Sequence, residues 1–179
     1  MSAMDSALQE RAARIRMLVL DVDGVLTDGR LYFDNAGNEM KAFNTRDGLG
    51  MKALQGCGIE VAVITGRKSQ IVTQRMAQLD IKHVYQGRED KLNAFTQLLE
   101  VTGLEAEQVC FAGDDWIDLP VLLRAGLAVT VADAEEQVKE NVHWVTQNKG
   151  GEGAVREICN LILQAQGKVK IILDEILAS

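Results

Sequence analysis

Two aspartates one residue apart and followed by glycine, Asp21-Val22-Asp23-Gly24, are the chain's most reactive-looking feature. They directly follow the apolar run Met17–Leu20, so both carboxylates emerge where a buried strand would give way to a loop. Gly24 permits the tight bend that aims them at one centre. Other polar groups stand at the ends of other apolar runs. Thr65-Gly66-Arg67 follows Val61–Ile64, Lys91 follows the run ending near Tyr85, and Gly113-Asp114-Asp115-Trp116-Ile117-Asp118 follows Val109–Ala112. Bringing Asp21, Asp23, Asp114 and Asp118 together concentrates negative charge, which is costly unless a cation neutralises it. An all-oxygen donor set suits a hard ion that keeps several waters, so Mg2+ is the expected cofactor. Lys91 offsets further charge and holds a carboxylate or phosphoryl oxygen. Thr65, beside a glycine at a helix start, offers a hydroxyl and backbone N–H groups to an anion. A nucleophilic Asp, a metal, a lysine and a hydroxyl around one phosphoryl group supply the positioning and charge neutralisation that phosphoryl transfer needs.

Each segment alone has a plainer reading. An Asp pair is commonly a solvated turn, TGR a helix cap, and DxDG also opens calcium loops. The calcium loop needs an acidic or amide ligand at its fifth position, which here is Val25, so that reading fails. Four segments in order, each at an expected strand end, share one chemistry.

The elements that must position these groups alternate along the chain. Strands are expected at 17–22, 60–64, 83–85, 108–112, 127–131 and 143–145. Helices are expected at about 47–56, 68–79, 89–101, 117–124, 135–140 and 153–165. Such βαβα alternation builds an α/β fold, a Rossmann-like doubly wound, mostly parallel sheet with helices on both faces. Ligands bind such sheets beyond the carboxyl ends of the strands, where the polar groups lie. Residues 30–43 break the pattern and read as a β-hairpin around Asp34-Asn35-Ala36-Gly37-Asn38. The gaps from Asp23 to Asp47 and from Thr65 to Lys91 leave no room for a separate lid of about 60 residues or more.

Residues 1–179 read as one domain: 47% are hydrophobic and 25% charged, which suits a packed core. Leu8, Ala12 and Ile15 suggest an amphipathic helix in the N-terminal stretch, which lacks the features of a secretory signal. No apolar run approaches the length of a membrane span. A net charge of −7 argues against nucleic acid as a partner. Cys57, Cys110 and Cys159 show no CxxC spacing and read as reduced core thiols of a cytoplasmic protein. The tail, 168–179, resumes an apolar pattern as a short helix or an extended arm.

DVDGVLTDG, VITGR, REDK and GDDWIDLP resemble the four motifs of the haloacid dehalogenase superfamily of phosphatases, over about Met17 to Leu163. The resemblance implies that Asp21 becomes phosphorylated and that Asp23 protonates the leaving oxygen and then activates water. Thr65 and Lys91 would bind the phosphoryl group, and Asp21, the backbone carbonyl of Asp23, and Asp114 would hold magnesium. Asp115 and Asp118 would support the site. The capless form, with its hairpin, NTRDG and GGEGAVRE, resembles the family of 3-deoxy-D-manno-octulosonate 8-phosphate (Kdo 8-phosphate) phosphatases of bacterial lipopolysaccharide synthesis. That resemblance implies a small phosphorylated sugar-acid substrate and a homotetramer joined through the hairpins, with C-terminal segments covering adjacent sites. It assigns substrate contacts to Asp23, Asn44, Thr45, Arg46, Asp47, Gly48, Lys52, Arg67, Arg75 and Lys91. Lys52 stands where the family pattern has arginine, so it would meet a carboxylate without bidentate geometry. Other readings are a phosphatase for a different nonulosonate or sugar phosphate, or an inactive oligomerisation module. The intact set of Asp21, Asp23, Lys91 and Asp114 disfavours the second.

Overall fold

The computed structural model describes residues 6–178, so Ser2–Asp5 of the expected N-terminal helix and Ser179 of the tail lie outside the described residues. Six strands form one parallel sheet: β1 (Met17–Leu20), β4 (Glu60–Thr65), β5 (His83–Gln86), β6 (Val109–Ala112), β7 (Leu127–Thr130) and β8 (Trp144–Val145). Their order is β5-β4-β1-β6-β7-β8. The hairpin is a separate two-stranded antiparallel ribbon, β2 (Tyr32–Phe33) and β3 (Glu39–Met40). After β5 the chain crosses back to lay β6 on the free side of β1, so β1 and β6 flank the point where strand order reverses. A doubly wound sheet opens a crevice at that point.

The sheet is coated on both faces because its strands are apolar on both. Leu18, Leu20, Val61, Val63, Cys110 and Ala112 face one core, closed by helices α1 (Ser6–Ala13), α2 (Thr45–Gly56), α3 (Gln70–Gln78) and α7 (Ala154–Ala165). Met17, Val19, Ala62, Ile64, Val109 and Phe111 face the other, closed by α4 (Lys91–Thr102), α5 (Leu119–Leu122) and α6 (Glu136–Lys139). All four residues of β1 are fully buried. At about 2 kcal/mol for each buried aliphatic side chain, the strand that delivers Asp21 is held on both faces.

One element differs from the sequence expectation. The helix expected at 117–124 is split into a 3-10 turn, Trp116–Asp118, and α5. The Asp115 side chain takes the N–H of Trp116, and Pro120 sits in the first turn of α5, so the polar loop ends where α5 begins. The tail forms a helix, α8 (Val169–Ala178), with Val169 and Ile172 packed on the core and Ile171, Leu173, Ile176 and Leu177 exposed.

Candidate active site

Asp21 continues the β1–β6 ladder by donating its N–H to Ala112 O at 2.9 Å. Its Oδ1 accepts from the N–H of Val22 at 2.7 Å, and its Oδ2 lies 2.8 Å from Lys91 Nζ. Lys91 opens α4, where Asp90 caps the helix by accepting from Asn93 N–H at 3.0 Å, fixing the point from which the ammonium reaches inward. Lys91 also donates to Asp118 Oδ1 at 2.6 Å. Asp118 is fully buried, and its Oδ2 accepts from the N–H groups of Asp114 (3.1 Å) and Asp115 (3.3 Å). Both oxygens of Asp118 are therefore occupied in orienting Lys91 and the β6 loop.

Asp114 is different. Its Oδ1 is buried and, among the described residues, has no hydrogen-bond partner, although such groups normally find one. Oxygens of Asp21, Asp114 and Asp118 lie within 4.8 Å of one another. Burial, aided by the charges of Asp21 and Asp118, pushes the Asp114 carboxyl up to about 8. Asp21 is also raised, because burial outweighs the attraction of Lys91. Lys91 is raised in turn: burial opposes its charge, but the carboxylates of Asp21 and Asp118 together outweigh burial. One ammonium thus does not neutralise the cluster, and a nucleophilic carboxylate must be ionised to react. An orphaned carboxylate oxygen beside a second under-compensated carboxylate fits a hard divalent cation. Gly24 makes this approach possible: its φ is +93°, and a Cβ there would meet Asp114 Oδ2 at 2.0 Å.

Asp23 points to a second network. Lys41 Nζ, just beyond β3, contacts Asp23 Oδ1 and lies 3.3 Å from Glu39 Oε1. Arg67 Nε lies 3.8 Å from Asp23 Oδ2, and Arg67 Nη2 donates to Glu39 Oε1 at 3.4 Å. Ser69 Oγ donates to Glu39 Oε2 at 2.7 Å. Lys41, Glu39 and Ser69 were not singled out from sequence. The available signal was the Glu39-Met40-Lys41 alternation, which puts both charges on one face of the ribbon.

Asp21, Asp23, Thr65, Arg67, Lys91 and Asp114 line one cavity of about 160 Å³, together with Gly66, Asp115 and Ile117. A larger cavity of about 360 Å³ lies at the amino ends of β4 and β5 among Glu60, Asp80 and His83, away from this chemistry. The remaining predicted contacts do not line the 160 Å³ cavity. Asn44 caps α2 and donates to Gly151 O at 3.3 Å, and Asp47 Oδ1 accepts from Arg156 N–H at 2.7 Å. Thr45 and Arg46 are exposed on the first turn of α2. Lys52 pairs with Asp80. Arg75 lies against Gly48 and stacks 6.0 Å from the Phe43 ring centroid.

The NTRDG and GGEG segments thus interlock with each other and with the loop that follows β1. Gly151 N–H donates to Val25 O at 3.0 Å, and Gly150 lies directly against the Gly24 carbonyl. In the fold the Gly150-Gly151 turn is a close-packed wedge.

Residues 83–158 match the haloacid dehalogenase-like hydrolase family model. The chain is 50% identical over 161 residues to 3-deoxy-D-manno-octulosonate 8-phosphate phosphatase of Yersinia pestis, covering 90% of this chain and 86% of that protein. It is 52% identical to the Escherichia coli K12 phosphatase of the same name, over 89% of this chain and 85% of that one. Its fold superposes on a crystal structure of the Yersinia pestis enzyme with a TM-score of 0.92 at 48% identity, covering 93% and 90% of the two chains. A structure of the Moraxella catarrhalis enzyme in complex with magnesium, phosphate and KDO gives 0.94 at 38% identity, covering 97% and 99%. With this identity along nearly its whole length, the chain belongs to the haloacid dehalogenase-like hydrolases, in the family of the 3-deoxy-D-manno-octulosonate 8-phosphate phosphatases.

Proposed function

We propose that this chain hydrolyses 3-deoxy-D-manno-octulosonate 8-phosphate to Kdo and inorganic phosphate through an aspartyl-phosphate, as one catalytic domain serving lipopolysaccharide sugar synthesis. The observation that carries the reading is the convergence of Asp21, Asp23, Thr65, Lys91 and Asp114 on one cavity. An Asp21 carboxylate oxygen forms a bond to phosphorus as the ester P–O bond breaks, and Asp23 gives its proton to the departing sugar oxygen. Asp23 then takes a proton from a water whose oxygen attacks phosphorus. The acyl-phosphate P–O bond breaks, restoring the Asp21 carboxylate and freeing phosphate. Lys91, the Thr65 hydroxyl and the Gly66 N–H hold the phosphoryl oxygens through both steps. Magnesium held by Asp21, Asp114 and the Asp23 carbonyl would supply the charge neutralisation that the phosphoryl group and the carboxylates require.

A cavity of about 160 Å³ accommodates a phosphoryl group and leaves the rest of an eight-carbon sugar acid outside. The remaining walls come from neighbouring subunits of a homotetramer built on the hairpins, whose Leu31 and Phe33 are exposed. Asn44, Thr45, Arg46, Asp47, Gly48, Lys52 and Arg75 then serve the sugar-acid end of a substrate shared between subunits. Among the described residues no helix is long and apolar enough to cross a membrane. The three free cysteines suit a reducing cytoplasm.

The test is phosphate release from a panel of sugar phosphates with magnesium present. Kdo 8-phosphate should be hydrolysed fastest. Comparable rates on every ester would defeat the narrow substrate assignment, and no release from any would defeat the phosphatase reading.

A further inference from the structure

The hairpin is exposed from Leu31 to Asn38, but its returning strand turns Glu39 and Lys41 inward. Phe33 and Met40 are each 55% exposed, whereas the Lys41 side chain is 1% exposed. Lysine is rarely buried so fully unless paired, and here its partners are Asp23 and Glu39. Alternation along the ribbon explains the contrast: Glu39 and Lys41 share the inner face, and Met40 between them faces out. Glu39 is itself anchored from the body of the protein by Ser69 and Arg67. The two oxygens of Asp23 consequently differ. Oδ1 is engaged by Lys41, while among the described residues Oδ2 accepts no hydrogen bond and has only Arg67 at 3.8 Å.

We propose that Lys41 is a positioning residue for the reaction: it fixes Asp23 through Oδ1, leaving Oδ2 as the atom that exchanges protons with the leaving group and water. The inference rests on the phosphatase reading above. It makes the hairpin part of the catalytic apparatus as well as a surface feature, because the ribbon's seating and the placement of Asp23 depend on the same ion pairs. A general acid–base must be held within hydrogen-bond reach of its proton, and a carboxylate free to rotate would spend less time there.

The test is steady-state kinetics on Kdo 8-phosphate at saturating magnesium for wild type, Lys41→Met, Lys41→Arg and Lys41→Gln, with thermal melts to verify folding. Loss of positioning should lower kcat of Lys41→Met by about 10- to 100-fold with KM within about threefold, and Lys41→Arg should regain part of it. A rise in KM at unchanged kcat would mean that Lys41 binds substrate directly and would overturn the proposal, as would an unchanged kcat. If Lys41→Met fails to fold, Lys41→Gln, which keeps a polar side chain at this position but lacks the ammonium that pairs with Asp23 and Glu39, carries the same comparison with the same expected direction. An active wild type with unaffected Lys41 variants sinks this proposal alone. A wild type that releases phosphate from no ester sinks it together with the phosphatase reading.

Discussion

The α-carbon of Gly150 stands so close to the Gly24 carbonyl that a Cβ at position 150 would meet that oxygen at 1.7 Å. Gly24 in turn makes room for Asp114, so two glycines far apart in sequence set the spacing of the carboxylates. Neither position tolerates a side chain without displacing the loop that carries Asp23.

Gly150→Ala should therefore act on catalysis through packing. The displaced Gly24–Thr27 loop should lower kcat by about 100-fold, the scale expected for a misplacement near 1 Å. Overpacking should reduce stability by about 1–3 kcal/mol. Kinetics combined with urea unfolding checks both. A variant with wild-type turnover would show that the wedge does not set the site.

Asp21→Asn should abolish phosphate release, by roughly 10⁴-fold or more, as for loss of other covalent nucleophiles. The protein should still fold, since Lys91 keeps Asp118 at 2.6 Å. Asp118→Ala is expected to be worse for stability, by about 3–5 kcal/mol, because Lys91 loses a fully buried partner and two backbone N–H groups lose their acceptor. Chemical denaturation of the two variants should rank them in that order.

Chelation of magnesium should stop hydrolysis, and the metal-free protein should carry a pH signature. Asp114 is raised to about 8 in the folded state from an ordinary value of 3.8, so between those values the folded protein holds a proton that the unfolded chain has released. Stability from this group is full below about pH 4 and is lost as pH rises toward 8. Added magnesium should accordingly raise the melting temperature more at pH 8 than at pH 5. Equal shifts at both pH values would contradict the cluster's role as the cation seat.

Phe33 and Phe43 flank the same hairpin but should fail differently. Phe33 is exposed, whereas Phe43 is partly buried against the core beneath Arg75. Phe33→Glu should yield monomers of near-normal stability and poor turnover, read by sedimentation. Phe43→Glu should unfold more easily, by about 2 kcal/mol or more, whatever its assembly state. Intact tetramers in the Phe33 variant would count against the hairpin interface.

The chemistry was legible in the sequence because it is written locally. Each polar group follows an apolar run, and the doubly wound sheet brings all the carboxyl ends to one edge, so Asp21, Thr65, Lys91 and Asp114 could be grouped without coordinates. The division of labour among the acids was not legible. Asp114 and Asp118 are four residues apart and chemically alike, yet one has a buried, unpartnered oxygen while the other has both oxygens engaged. That difference depends on where Lys91 arrives from another strand.

Sequence alone also determined the missing lid and the hairpin, which follow from chain length between motifs and from turn residues. Tertiary structure decided what the hairpin touches, through the buried Lys41, and what NTRDG and GGEG do in this chain. Asn44 and Asp47 bind the backbone of the Gly151–Arg156 segment, more than 100 positions away, and Gly150 wedges against Gly24. Contacts of that range depend on backbone approach and burial, quantities that exist only once the sheet has brought distant loops together.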